Sequence, residues 1–176
     1  GTLVGRVEVA AAEGASRKPP ASLVAYEYVL KGNALPWDDP AGLVEATRLF
    51  AKSIEIDPGY GFAHAMLAVM LYRKWVDDWS LSDDLLQESF DLAKRAVELD
   101  SNDSTCFAIL GQVHMLRHSF DLAVQYVQRA VKINPNNQWN LADLGYVLVY
   151  ADQAEAAVDC FKRAREIDPY FNPPWS

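Results

Sequence analysis

The chain has 176 residues, 51% of them apolar and 23% charged, with 9 Gly, 9 Pro and 2 Cys. That length suits one domain with a sizeable core. The composition excludes a disordered segment and a disulfide scaffold, and no apolar run approaches the ~20 residues of a membrane-spanning helix. The net charge of −8 is uneven: residues 1–36 carry four basic and three acidic side chains, leaving 12 basic and 21 acidic in the other 140. A body that acidic repels a phosphate backbone, which argues against nucleic acid as a partner. No basic stretch followed by an apolar one reads as a signal peptide, so a cytoplasmic chain without a membrane partner is expected. The first residue is Gly rather than Met, which implies a processed or excised segment.

In chain order, residues 2–16 read as a lead-in helix, with Leu3, Val4, Val7 and Ala10 to Ala12 apolar, ended by Lys18-Pro19-Pro20. A helix from Ala25 to Leu35 precedes a Pro36-Trp37-Asp38-Asp39-Pro40 loop and a second helix from 41 to 56. Helices follow at 60–75, 83–99, 104–117, 120–133, 138–150 and 153–167, each with apolar residues at helical spacing. Start signals are Asp39 before Pro40, Ser80 three before Asp83 and Asp152 three before Glu155. An insertion surrounds Trp75-Val76-Asp77-Asp78-Trp79. No alternating strand pattern competes.

The helices form a repeat. Ile56-Asp57-Pro58, Leu99-Asp100-Ser101, Ile133-Asn134-Pro135 and Ile167-Asp168-Pro169 are spaced 43, 34 and 34 residues apart, an array with nine extra residues in one unit. Five residues before each marker stand Ser53, Ala96, Ala130 and Ala164; twelve before stand Ala46, Ser89, Ala123 and Ala157. Eight before stand Phe50, Ala93, Val127 and Phe161, and nine and ten after come Leu67-Ala68, Leu110-Gly111 and Leu144-Gly145. Small residues at fixed offsets let helices approach closely, while the larger apolar ones fill the space.

The 34-residue period, Leu-Gly in the first helix, Ala and Phe in the second and the closing Asp-Pro resemble the tetratricopeptide repeat, best over 103–169 and with insertions over 22–102. The resemblance implies an all-α superhelix with a groove lined by first helices. The expected layout is a lead-in helix and linker at 1–20 and an array at 21–176, with units 22–58, 59–102, 103–136, 137–170 and a truncated fifth at 171–176. The string Arg17-Lys18-Pro19-Pro20-Ala21-Ser22-Leu23, with Ala25, Tyr26 and Tyr28-Val29-Leu30-Lys31-Gly32, resembles the lead-in to repeat arrays at the C-terminus of some bacterial class III adenylate cyclases. Related arrays follow winged-helix domains in some transcriptional regulators, and Asp168 to Trp175 looks like the start of a further unit. This resemblance implies a regulatory, non-catalytic part of a signalling protein.

Chemistry is sparse. His114 and His118, four apart on one helix, lack third and fourth metal ligands at a recognisable spacing, so packing is the expected role. Asp38-Asp39, Asp77-Asp78 and Asp83-Asp84 lack the spacing of a calcium loop and suit loops and helix N-termini. Cys106 and Cys160 are expected as buried free thiols. No phosphate loop or nucleophile motif is present, and no cofactor, metal or catalytic residue is expected.

The resemblance instead points to the groove. Its expected lining is Phe62, Ala65, Met66, Val69, Tyr72 and Arg73 in the second unit, and Thr105, Ala108, Ile109, Gln112, Met115 and Leu116 in the third. Trp139, Ala142, Asp143, Tyr146, Val149 and Tyr150 follow in the fourth. Repeats that bind heat-shock-chaperone C-termini clamp a carboxylate with Lys, Arg and Asn on these helices; here Ala, Gln, Thr, Ile, Trp and Asp take those positions. The surface suits an apolar peptide or amphipathic helix of a protein partner, or packing against the neighbouring domain of the same chain. A homodimer that buries these surfaces against itself is the alternative.

Overall fold

Residues 17–77 and 82–171 are described by the computed structural model of the chain. The expected helix at 2–16, residues 78–81 of the insertion and the segment beyond Phe171 lie outside the described residues. Eight helices are described: α1 (Leu23–Asn33), α2 (Pro40–Ile56), α3 (Gly61–Asp77), α4 (Asp83–Leu99), α5 (Ser104–Leu116), α6 (Phe120–Ile133), α7 (Gln138–Tyr150) and α8 (Ala154–Ile167). No strand occurs among the described residues.

Side-chain caps fix most helix starts. Ser22 accepts from the Ala25 amide, which starts α1 two residues earlier than the apolar pattern indicated. Asp39 accepts from the Gly42 amide with Pro40 in the first turn, as expected from the sequence. Asp103 and Asn137 cap α5 and α7 in the same way. Two start signals are corrected. Ser82, rather than Ser80, accepts from the Asp84 amide and caps α4. Gln153, rather than Asp152, precedes α8, because Asp152 is taken up in closing α7.

That closing turn repeats. Asp152 and His118 both have φ of 58°, in the left-handed region. The amides of His118 and Ser119 bond back to the carbonyls of Met115 and His114, and those of Asp152 and Gln153 to Val149 and Leu148. This paired pattern satisfies the orphan carbonyls at a helix end. Asp and His are among the few residues other than Gly found in that conformation.

The chain divides into two compact units, Lys18–Ser101 and Gly1–Arg17 with Asn102–Ser176. In the first, α1 packs on α2, α2 on α3 and α3 on α4. Phe50 is fully buried, edge-on to Trp37 at 6.2 Å, and its ring comes within 2.7 Å of where a Cβ on Gly32 would stand. Ser53 and Ser89, at the small-residue positions of the repeat, donate across helices to the carbonyls of Ala25 (2.9 Å) and Ala68 (2.8 Å). Each hydroxyl is wholly buried. Ser53→Ala and Ser89→Ala should each lower unfolding free energy by about 1 kcal/mol, read by urea titration. The linker runs along the repeat turns of this unit. The Lys18 amide donates to Asp100 at 2.5 Å and the Ala21 amide to Asp57 at 2.7 Å, both carboxylates buried.

In the second unit α5 packs on α6, α6 on α7, α7 on α8 and α5 also on α7. Its core joins Met115, Ala123, Val124, Val127, Leu144, Val147, Leu148 and Ala157. A smaller cluster holds Leu141, Ala142, Ala164 and Phe171. A Cβ on Gly111 would stand 2.4 Å from Val127 Cγ2 and 3.0 Å from the Ala123 carbonyl; one on Gly145 would stand 2.7 Å from the Phe161 ring. Val127 and Phe161 thus lie directly over a glycine. Arg17 is held here, its guanidinium on the Asp103 carboxylate and near the Thr105 hydroxyl.

Candidate functional site

On α7, Trp139, Asp143, Tyr146 and Tyr150 follow one another at spacings of four, three and four, which places them on one face. Trp139 is 44% exposed, Val149 53% and Tyr150 51%. Tyr146 is half-buried and Ala142 fully buried. The rings are ordered by one another. Trp139 meets Phe171 edge-on at 4.8 Å. Tyr146 and Tyr150 meet at 5.2 Å with their hydroxyls 3.3 Å apart, and Tyr150 stacks on Phe120 at 6.4 Å. Burial, with the Tyr150 hydroxyl second, pushes the Tyr146 phenol up to about 12.

Asp143 differs from its neighbours in being 7% exposed. Its carboxylate takes a hydrogen bond from Gln112 of α5 and has no ion pair among the described residues. Burial pushes its pKa from 3.8 to about 7, and the Gln112 contact offsets only part of that rise. From the same helix Ala108, Ile109 and Met115 are buried, while Thr105 and Leu116 are half-buried. The structure therefore brings Gln112, Trp139, Asp143, Tyr146 and Tyr150 into one unit. Phe62, Met66, Val69, Tyr72 and Arg73 belong to the other. There Phe62, Ala65, Met66 and Val69 are buried, Tyr72 is half-buried, and the Arg73 guanidinium donates to the Trp37 carbonyl at 3.2 Å.

The two helical histidines do not converge. His114 is buried and stacks on Tyr126 at 5.1 Å with planes 7° apart, and burial holds its imidazole below the usual range. His118 falls beyond the end of α5, in the left-handed turn, edge-on to Phe120 at 5.9 Å. No group of three His, Cys, Asp or Glu among the described residues could hold a metal ion. Cys106 is buried, but Cys160, on a helix that among the described residues packs mainly on α7, is only half-buried. No described helix is long and apolar enough to cross a membrane.

Two features had little signal in the sequence. Asp103 both caps α5 and holds Arg17, 86 residues earlier, and nothing local announces so distant a pair. The Gln112–Asp143 contact depends on how α5 lies against α7, and its trace was one carboxylate in an otherwise apolar stripe.

Paired helices in a 34-residue register, closed by recurring left-handed turns and by small residues under large ones, make this the tetratricopeptide-repeat fold. No family model matches the chain. Among solved structures, it resembles a thermophilic TPR protein of Thermus thermophilus, with a TM-score of 0.63 and 18% identity over 73% of this chain and 66% of that one. It also resembles MamA 41-end from Desulfovibrio magneticus RS-1, with a TM-score of 0.58 and 15% identity over 85% of this chain and 78% of that one. Over 78 residues, 44% of its length, the chain is 30% identical to "Putative adenylate cyclase 3" of Rhizobium meliloti (strain 1021). It spans 12% of that curated relative.

Proposed function

We propose that the chain is a non-catalytic protein-interaction module that binds an apolar peptide or helix of a partner on the α5–α7 face. The observation that carries this is the exposed aromatic stripe of α7, Trp139 and Tyr150, held in fixed orientations by Phe171, Tyr146 and Phe120. Rigid aromatic side chains that are already ordered lose little entropy on binding and act as anchors. The lead-in string at Arg17–Gly32 and the partial likeness to an adenylate cyclase support a parent of that kind, regulated through this module; a transcriptional regulator is the related case. A cyclase or winged-helix domain in the same reading frame would decide between them.

Panning a phage library of 12-residue peptides against the immobilised chain tests the face. Trp139→Ala and Tyr146→Ala should each weaken a selected peptide by about 30-fold, the effect of losing an anchor worth about 2 kcal/mol. Unchanged binding by both variants would overturn the assignment.

One observation favours homo-oligomerisation as a second reading: Leu23, Val24 and Leu30 of α1 are 79%, 51% and 49% exposed. A dimer by light scattering that dissociates on Leu23→Glu with Leu30→Glu would support it.

A further inference from the structure

The α5–α7 face combines exposed aromatic rings with one carboxylate that has little to balance it. Asp143 can accept about four hydrogen bonds when ionised, yet among the described residues the Gln112 amide is the one group that acts on it besides burial. None of the His, Lys, Arg, Asp or Glu side chains on α5, α6 or α8 contributes charge there: His114 faces Tyr126, and Lys162 of α8 lies by Asp159 on its own helix. A buried carboxylate without a counter-charge is costly, and a cation that reaches it recovers much of that cost. Trp139 and Tyr146, one turn to either side, would flank such a cation with aromatic rings.

We propose that the partner segment seated on this face carries a Lys or Arg side chain that reaches between Trp139 and Tyr146 to pair with Asp143. This rests on the reading of the α5–α7 face as the binding surface and adds the chemistry of what it selects. The apolar anchors supply affinity and the carboxylate supplies register and choice of sequence. Because an ionised Asp143 is required and its pKa in the free protein lies near 7, binding below that pH includes removal of a proton. Affinity therefore falls as pH drops below 7 and is level above it.

The experiment is parallel selection of a 12-residue phage library on the natural protein and on Asp143→Asn. The natural protein should enrich Lys or Arg at one fixed distance from the aromatic or aliphatic positions; Asp143→Asn should keep the apolar preference and lose the basic one. A selected peptide and its counterpart with norleucine in place of the basic residue are then compared by fluorescence polarisation. On the natural protein the neutral peptide should bind at least tenfold more weakly. The charged one should lose affinity by up to tenfold per pH unit between 7 and 5.5. On Asp143→Asn both differences should vanish. Selections without basic enrichment, an equal preference in Asp143→Asn, or indifference to norleucine would overturn the inference while leaving the interaction face standing. Failure to select any peptide would overturn the face, and the inference with it. The norleucine comparison on the natural protein needs no variant to fold.

Discussion

Asp143→Asn should stabilise the protein, and the gain should grow with pH. The carboxyl is raised from 3.8 to about 7 on folding, so between these values the folded state holds a proton that the unfolded state releases. Stability is therefore lost as pH rises through that window and levels off above 7. The shift of about three units corresponds to roughly 4 kcal/mol at pH 8, against roughly 1–2 kcal/mol at pH 5. For a chain of this length, 4 kcal/mol is a rise in Tm of roughly 10 °C. Asn keeps an oxygen for Gln112 and removes the charge. His64 and His114 act in the opposite direction, since burial holds both imidazoles neutral and their contribution is lost below the unfolded value of 6.5. That contribution is common to both proteins and cancels in the difference between their melting curves. Curves that run parallel from pH 5 to pH 8 would remove the case for a buried, uncompensated carboxyl.

Gly111→Ala should cost about 2–3 kcal/mol, and the loss should be partly undone by shrinking the residue above it. The added methyl would lie 2.4 Å from Val127 Cγ2 and 3.0 Å from the Ala123 carbonyl, so both a fully buried side chain and backbone must yield. Val127→Ala alone should cost about 2 kcal/mol through the cavity it leaves. Together the two changes recreate the combination that the second unit of the repeat uses at the same register, Ala68 with Ala93. The double variant should then retain about 1–2 kcal/mol more than the sum of the single losses, measured as urea midpoints at constant slope. Gly145→Ala should cost less, because the half-buried Phe161 ring can swing aside where backbone cannot. Strict additivity at 111 and 127 would mean the two positions relax independently.

Much of this architecture is legible in residue spacing. Positions 83–99, 120–133 and 138–150 could be bounded because apolar residues recur at helical spacing within them and the repeat's turns fall at fixed offsets. The small and large residues at fixed offsets could also be read, whereas the seating of Val127 over Gly111 comes from how the helices meet. Less was visible where the deciding partner is remote. Asp152 looked like the start of α8 because Glu155 follows it, but the preceding helix claims it for a left-handed turn. The candidate face divided in the same way. Helical spacing aligned Trp139 with Tyr146, whereas the burial of Asp143 depends on the approach of α5, which no local pattern encodes.

The linker between Arg17 and α1 works as a ruler. Pro19 and Pro20 have no amide to donate and hold the backbone extended, so the hydrogen bonds to Asp100 and Asp57 fall on the residues at either end, Lys18 and Ala21. Three residues of extended chain cover about 9 Å, which sets the distance between the two amides. The turn carboxylates are thereby read as two marks on a scale, and they read main chain rather than side chains. Lys18 and Ala21 can be exchanged for other residues with an amide, but adding or deleting one residue between them would carry one of the two amides away from its carboxylate.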